Sequence, residues 1–222
     1  MAVLNDKVVS DLKRIFSKEL GTKKVKLLAF TSDSPECQYC DVTTKLVEEI
    51  GKVDERIDVE IFEFDDDEKV VEKYEIEMTP AIIVLGEDGK DYGLRFYGIP
   101  SGHEFPTLIE DIIIISNGAV PQLSQKNVER VRKIDKPMKI MVFITPTCPY
   151  CPRAVLTAHN IALANDLIKG EMIEAMEFVE LSERYRVEAV PHIIISDVHE
   201  FVGALPEDAF VDEIMKAYEK MK

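Results

Sequence analysis

The chain of 222 residues contains four cysteines, and all of them lie in two Cys-x-x-Cys pairs, Cys37–Cys40 and Cys148–Cys151. The pairs are 111 positions apart, and the same offset relates Pro80 to Pro191. A repeat of half the chain length indicates two units, each long enough to bury its own core. We therefore predict two domains, residues 1–118 and 119–222, with one cysteine pair in each.

The order of predicted elements around each cysteine pair is the same in both halves. A helix precedes a buried strand, at 25–30 in the first half and 140–144 in the second. A loop then leads to the first cysteine, where we expect a helix to begin. A middle strand at 59–64 or 174–178, a short helix and an apolar hairpin complete the half. This order predicts an α/β fold of two tandem units, each with a mixed sheet of about four strands flanked by helices.

The loop before the cysteines is the clearest break in the repeat. It is three residues longer in the first half than in the second if Thr31 is set against Thr145. The remaining spacing between the two halves is preserved.

Charge and hydropathy exclude several kinds of partner. The chain has 42 acidic and 27 basic residues, a net charge of −15, which repels nucleic acid and anionic membranes. It has no apolar run near the roughly 20 residues that cross a bilayer, and its first residues lack a secretion signal. We therefore expect a cytoplasmic protein, and the high charged fraction with few amides points to a heat-adapted source.

The close spacing of the cysteines favours reversible redox chemistry. A disulfide across two residues closes a very small loop, so it adds little chain-entropy stabilisation. A thiol at a helix N-terminus faces unpaired N–H groups and the positive end of the helix dipole, which favour the thiolate. We predict that Cys37 and Cys148 are the nucleophiles. Cys40 and Cys151, one turn further on and less exposed, then resolve the mixed disulfides.

A structural zinc site is the alternative interpretation of two Cys-x-x-Cys pairs. Zinc ribbons bring their pairs together over short, turn-rich separations. Here 107 residues with a strand–helix pattern separate the pairs, and each pair opens a predicted helix. The sequence therefore predicts no metal.

Each half resembles a thioredoxin fold, because Cys-x-x-Cys opens a helix and a proline follows its first cysteine by 43 residues, before an apolar strand. The tandem arrangement resembles the protein disulfide oxidoreductases of thermophiles, which are similar in chemistry to protein disulfide isomerase and glutaredoxin. Cys148-Pro149-Tyr150-Cys151 is itself a glutaredoxin-type motif. The resemblance implies an enzyme that reduces, forms or isomerises protein disulfides with redox-active cysteines and no other cofactor. It also suggests an NADPH-dependent thioredoxin reductase as electron donor.

The resemblance further implies how substrate binds. It places a cis peptide at Thr79–Pro80 and at Val190–Pro191, facing the sulfurs, where the backbone is free to pair with an extended substrate chain. Tyr39 and Tyr150, inside the two motifs, are the remaining predicted substrate-binding residues.

The sequence departs from thioredoxin in two features near the cysteines. Glu36 and Thr147 stand where thioredoxin has a tryptophan, and neither first strand contains the buried acid that accepts a proton. Glu63 and Glu174, related by the repeat, are the candidate proton acceptors, although a glutamate at a strand end is commonly a solvated charge. A second function remains open, an electron-relay domain for a peroxiredoxin-type partner, but such modules usually keep only one active pair.

Overall fold

The computed structural model describes residues 2–222, which divide into two compact units. The first unit runs to Asp91 and also contains residues 96–99 and 109–119. The second unit contains residues 92–95, 100–108 and 120–222. Two segments that precede residue 118 thus group with the second unit, and the division at residue 118 remains a prediction.

In the first half of the chain, β1 (Val25–Thr31), β2 (Ile57–Glu63) and β3 (Ala81–Gly86) pair in a mixed sheet. Strand β1 is parallel to β2, with Val25 opposite Ile57 and Thr31 opposite Glu63, and antiparallel to β3. A turn in which Gly86 N donates to Lys90 O leads from β3 toward β4. The elements are α1 (Asp6–Glu19), β1 (Val25–Thr31), α2 (Cys40–Gly51), β2 (Ile57–Glu63), α3 (Glu68–Tyr74), β3 (Ala81–Gly86), β4 (Asp91–Tyr97), a 3-10 turn (Gly102–Glu104) and α4 (Phe105–Ser116).

In the second half, four strands form a mixed sheet in the order β6 (Ile168–Glu174), β5 (Met138–Ile144), β7 (His192–Ile195) and β8 (His199–Val202). Strand β5 is parallel to β6, with Ile144 opposite Glu174, and antiparallel to β7, which pairs with β8. The predicted tandem α/β fold is confirmed. The elements are α5 (Gln125–Val131), β5 (Met138–Ile144), α6 (Cys151–Ala164), β6 (Ile168–Glu174), α7 (Val179–Arg184), β7 (His192–Ile195), β8 (His199–Val202) and α8 (Glu207–Lys220).

The buried faces follow the hydrophobic pattern of the sequence. Asn5 caps α1 by accepting a hydrogen bond from Val8 N over 3.0 Å, and Leu12 and Phe16 bury one side of that helix. Every residue of β3 is buried, as expected for a strand covered on both faces. Within the described residues, no helix has the length and apolar character needed to span a membrane.

The helices at the two motifs begin later than the sequence predicts. Each starts at the second cysteine, with Tyr39 or Tyr150 as the N-cap residue. In the first motif, a turn intervenes, because Cys37 N donates to Ser34 O. The first cysteine of each pair therefore lies in the turn before the helix, so the prediction that it opens the helix is wrong.

The middle strand of the second half also lies elsewhere than the sequence predicts. It runs over Ile168–Glu174 and ends where the predicted strand 174–178 begins. Residues after Glu174 turn back, since Glu177 N and Phe178 N both donate to Glu174 O. Gly170 interrupts the apolar pattern, yet its missing side chain lets α6 approach, because a Cβ there would lie 2.9 Å from the backbone of Ala158.

The strand ends also correct the loop length. Thr31 and Ile144 are the equivalent last residues of β1 and β5, so Thr31 does not match Thr145. The loop to Cys37 comprises residues 32–36 and the loop to Cys148 residues 145–147. The first loop is therefore longer by two residues, where the sequence predicts three.

Candidate redox sites

In the first site, Cys37 and Cys40 form a disulfide at the end of β1. Cys37 is half-buried and Cys40 is buried, in agreement with a more accessible first sulfur. The backbone N–H of Ser32, the first residue after β1, donates a hydrogen bond to Cys40 Sγ over 3.2 Å. The loop therefore contacts the inner sulfur directly.

In the second site, Cys148 and Cys151 form the equivalent disulfide. Both are buried, and Cys151 is fully enclosed. Cys151 N donates to Cys148 Sγ over 3.2 Å, and the same sulfur lies 3.8 Å from the carbonyl oxygen of Val190. The first amide of α6 thus points at the outer sulfur, as expected where a helix N-terminus favours negative charge.

The peptides Thr79–Pro80 and Val190–Pro191 are both cis, as the resemblance implies. Both prolines are buried, whereas Thr79 and Val190 are partly exposed. The proline carbonyls accept hydrogen bonds within their units, from Gly98 N at 2.9 Å and from Gly203 N at 2.8 Å. In the second unit, the contact of Val190 O with Cys148 Sγ brings the residue before the proline to the sulfur.

The predicted tyrosines lie at the surface. Tyr39 and Tyr150 are both exposed, and neither makes a side-chain hydrogen bond to cap its helix. Both rings therefore lie at the surface within the two Cys-x-x-Cys motifs.

Glu63 and Glu174 occupy equivalent positions next to the two loops. Glu63 is the last residue of β2 and pairs with Thr31, and Glu174 is the last residue of β6 and pairs with Ile144. A Cβ on Gly51 of α2 would lie 2.5 Å from Val59 Cγ2, so α2 covers the face of β2 that carries Val59. Side chains an even number of residues apart in a strand share a face. Glu63 therefore lies on the same face of β2 as Val59.

The same relation holds in the second unit. Gly170 of β6 lies against Ala158 of α6 and is four residues from Glu174. Glu174 is therefore on the face of β6 covered by the helix that begins at Cys151. The two carboxyl groups thus share one position in the repeat.

The environments of the two carboxyl groups differ. Glu174 is only 3% exposed; its Oε2 accepts a hydrogen bond from Glu177 N over 2.7 Å, and Oε1 has no hydrogen-bond partner within the described residues. Burial raises the pKa of Glu174, opposed by the amides of Met176 and Glu177. Its burial does not fit a solvated charge.

Glu63 is half-buried. Burial is the main cause that raises the pKa of Glu63, and neighbouring negative charges raise this pKa further. Those charges belong to Asp33, Asp66, Asp65 and Asp67.

The structure adds a neighbour of the second site that sequence reasoning missed. His103 N, in the 3-10 turn, donates to Pro146 O over 3.0 Å, in the loop before Cys148. Gly102 has φ of +58°, and a Cβ there would lie 2.3 Å from Pro146 O. Glu104 follows, fully buried, and its Oε2 accepts a hydrogen bond from Thr107 Oγ1 over 2.8 Å. The repeat offers no signal for this turn, because the contact joins segments far apart in sequence.

The side chains that commonly ligate metals do not cluster in the described part of the chain. Among residues 2–222, no group of three or more His, Cys, Asp or Glu side chains is placed to hold a metal ion. His192, next to Pro191, is buried with Nε2 3.4 Å from a carboxylate oxygen of Glu200.

Curated relatives match part of this chain. A protein named NADH dehydrogenase from Bacillus subtilis is 32% identical over 126 residues, which are 57% of this chain and 24% of that protein. The AhpF component of alkyl hydroperoxide reductase from Staphylococcus aureus is 31% identical over 121 residues, 54% of this chain and 23% of that protein. The matched region thus spans about a quarter of the length of these relatives.

Solved structures also resemble nearly the whole chain. A protein disulfide oxidoreductase from Aeropyrum pernix superposes with a TM-score of 0.86 at 27% identity, over 98% of this chain and 96% of that one. The AhpF component of alkylhydroperoxide reductase from Enterococcus faecalis superposes with a TM-score of 0.84 at 27% identity, over 94% of this chain and 98% of that one.

Family models match each half separately. A thioredoxin-like domain model matches residues 13–113, and a thioredoxin domain model matches residues 138–216. Each matched region contains one disulfide and one cis-proline. The chain is therefore a tandem of two thioredoxin-like domains and resembles the protein disulfide oxidoreductases.

Proposed function

We propose that this chain is a thiol–disulfide oxidoreductase that acts on protein disulfides at both sites, in the cytoplasm. One observation carries the proposal: in each unit a disulfide joins a more accessible cysteine to a buried one at the start of a helix. This arrangement gives each site an attacking sulfur and a sheltered resolving sulfur.

Reduction of a substrate proceeds in two exchanges that transfer two electrons. The thiolate of Cys148 attacks one sulfur of the substrate disulfide; a mixed disulfide forms, and the other substrate sulfur leaves as a thiolate that takes a proton. Cys151, deprotonated, then attacks Cys148 Sγ and displaces the second substrate thiolate. The site ends as a disulfide and the substrate as a dithiol. Cys37 and Cys40 perform the same steps, and the reverse order oxidises a dithiol.

We propose that the repeated glutamates accept the thiol proton of the resolving cysteines. Glu174 is buried on the face covered by the helix that begins at Cys151 and retains an oxygen without a partner, so it can accept the thiol proton as Cys151 attacks. We give Glu63, at the equivalent position of the repeat, the same role toward Cys40. Glu174→Gln should slow release of a substrate from the mixed disulfide and leave its formation at Cys148 unchanged. Equal rates of release in both proteins would contradict the assignment.

Substrate chains bind, in this proposal, along the backbone before each proline. Thr79 and Val190 are partly exposed, and Val190 O contacts the attacking sulfur. An extended peptide can pair with this backbone and place its own sulfur beside Cys148. The exposed rings of Tyr39 and Tyr150 add apolar contact area next to the sulfurs.

Insulin reduction with dithiothreitol as electron source tests the main proposal. The double variant Cys37→Ser with Cys148→Ser should lose the activity and keep the circular dichroism spectrum of the parent. Each single variant should keep the activity of the remaining site. Undiminished activity in the double variant would contradict the nucleophile assignment. Reduction by NADPH with a thioredoxin reductase tests the proposed donor separately.

An electron-relay role is the second candidate, and the likeness to the AhpF component of alkyl hydroperoxide reductase favours it. In that role the reduced chain would pass electrons to one dedicated peroxiredoxin-type protein and reduce insulin poorly. We favour the broader activity because both cysteine pairs are present here. Faster oxidation of the reduced chain by a peroxiredoxin disulfide than by insulin would support the relay.

A further inference from the structure

The two redox sites carry different side chains at equivalent positions. Strands β2 and β6, and the helices that follow them, begin 111 residues apart, so the register of the repeat is fixed around both sites. Residues 65–68 read Asp-Asp-Asp-Glu, whereas residues 176–179 read Met-Glu-Phe-Val. Each segment leaves the strand end at Glu63 or Glu174 and enters the next helix. The repeat has therefore placed an acidic segment beside one site and a mostly apolar segment beside the other.

Direct contacts connect the acidic segment to the first sulfur pair. Ser32 Oγ donates a hydrogen bond to Asp65 Oδ2 over 3.2 Å, and Ser32 N donates to Cys40 Sγ over 3.2 Å. A single residue of the loop thus joins a carboxylate to the inner sulfur. Asp65 is exposed, so its charge also faces an approaching substrate.

Acidic residues from two separate segments of the chain lie near the first redox site. Asp33 lies in the loop from β1, and the acidic segment follows β2; charges from both act on the carboxyl group of Glu63. Glu36, immediately before Cys37, is exposed as well. The surface around the first disulfide therefore has a negative potential that does not depend on a single residue.

The equivalent segment beside the second site is mostly apolar, and the exposed charge nearest to Cys151 in sequence is the cation of Arg153. Met176 and Val179 are 71% and 51% exposed, and Tyr150, within the motif, is 68% exposed. The loop over residues 145–147 contains no charged residue. Exposed large apolar side chains at a reactive site suit contact with apolar or uncharged substrate segments.

We propose that the two sites divide substrates by charge, with the first site selecting disulfides that lie among basic groups and the second site showing no such preference. The inference rests on the proposed oxidoreductase function and adds a substrate class to one of its sites. A cation near a disulfide is drawn toward the acidic residues as it approaches Cys37, and an anion is repelled. Attraction between exposed charges is screened by salt, so the selection should weaken as ionic strength rises.

Two variants isolate the sites. Cys148→Ser with Cys151→Ser leaves the first site, and Cys37→Ser with Cys40→Ser leaves the second. Each variant, fully reduced, is mixed with cystamine, hydroxyethyl disulfide or dithiodipropionate, which are cationic, neutral and anionic. In each reaction the protein dithiol becomes a disulfide and the probe becomes two thiols. The cation-to-anion rate ratio at the first site is divided by the ratio at the second, which cancels the intrinsic reactivity of the probes.

We expect the cation-to-anion rate ratio to be about tenfold larger at the first site than at the second in roughly 20 mM salt. It should fall to about twofold in roughly 0.5 M salt, where the Debye length is only a few ångströms. The neutral probe should react at both sites with little dependence on salt.

Exchange of equivalent residues tests the acidic segment itself. In the first-site variant, Asp65→Met with Glu68→Val should lower the charge preference without abolishing it, because Asp33, Glu36, Asp66 and Asp67 remain. The matched control is Glu87→Gln with Asp88→Asn, which removes two exposed acids after β3, at the opposite end of β1 from the cysteines. That control should keep the preference.

The possible outcomes separate the two proposals. No reaction of the first-site variant with the neutral probe would overturn the proposed function at that site. Normal reaction with the neutral probe, but an equal charge preference at both sites, would overturn charge selection alone. If the exchange variant and the control lost the charge preference equally, the overall charge of the protein, and not residues 65–68, would set the preference. That result would also overturn charge selection by the acidic segment.

Discussion

Cys148 Sγ lies 3.8 Å from the carbonyl oxygen of Val190, so the attacking sulfur of the second site touches the backbone just before a cis-proline. Cys151, in contrast, is fully enclosed. A substrate sulfur can therefore approach Cys148 beside Val190, whereas Cys151 can be reached only through its partner sulfur.

This difference in access predicts which variants trap a substrate. Cys151→Ser and Cys40→Ser should accumulate a mixed disulfide through Cys148 or Cys37, because no resolving sulfur remains. The product is detected as a mass increase that dithiothreitol reverses. Cys148→Ser and Cys37→Ser, each in a chain lacking the other pair, serve as controls and should trap far less. Equal trapping by both kinds of variant would mean that the inner cysteines also attack substrate.

The burial of Glu174 predicts a stability effect that depends on pH. Its folded pKa is raised above the ordinary value of 4.5, so the folded state binds the proton more tightly than the unfolded state. The stability linked to this proton is full below the unfolded pKa and is lost as pH rises through the folded pKa. The unfolding free energy of the Glu174→Gln variant, relative to that of the parent, should therefore increase as pH rises. The total increase is about 1.4 kcal/mol for each unit by which the pKa of Glu174 differs between the folded and unfolded states.

Urea unfolding of the reduced proteins between pH 4 and pH 8 measures this gain. Glu63→Gln is the matched control at the equivalent position, and its gain should be smaller because Glu63 is half-buried and its charge is better solvated. A stability difference for Glu174→Gln that stays constant across this range would contradict the prediction.

The close approach of Gly102 to Pro146 predicts a second stability effect. Gly102→Ala should destabilise the protein by more than Gly89→Ala, although both glycines have positive φ, of +58° and +77°. The cost of a left-handed backbone for a residue with a Cβ, roughly 1–2 kcal/mol, is common to both. Only at Gly102 does a Cβ meet another atom, Pro146 O at 2.3 Å, whereas nothing lies within 4 Å at Gly89. The unfolding free energies of the two variants measure this difference. Equal values would show that the loop before Cys148 can move to accommodate the added Cβ at little energetic cost.

Removal of metal should leave the activity intact. After dialysis against a chelator, insulin reduction should proceed at the original rate, and the purified chain should contain no stoichiometric zinc. The expectation follows from cysteine pairs that bond within themselves in separate units. Loss of activity on chelation, restored by zinc, would support the structural zinc alternative.

Much of each site could be predicted from the sequence because it repeats. The cysteines, the prolines and the two glutamates keep a common offset, and local spacing places them around one strand end. The start of β6 could not be predicted because Gly170 interrupts its apolar pattern, and that glycine serves a close approach of α6 that only the packed structure shows. Likewise, no local pattern links Gly102 to Pro146, because the contact is long-range.

The helices at the two sites lack a side-chain cap, and in the second site the sulfur of Cys148 takes that position. The N-cap residue Tyr150 makes no side-chain bond to the helix, and Cys151 N donates to Cys148 Sγ instead. A thiolate accepts a hydrogen bond more strongly than a disulfide sulfur does, so reduction should tighten the first turn of α6. Amide hydrogen exchange at Cys151 should therefore report the redox state of the site, slower when the pair is reduced and faster when it is oxidised.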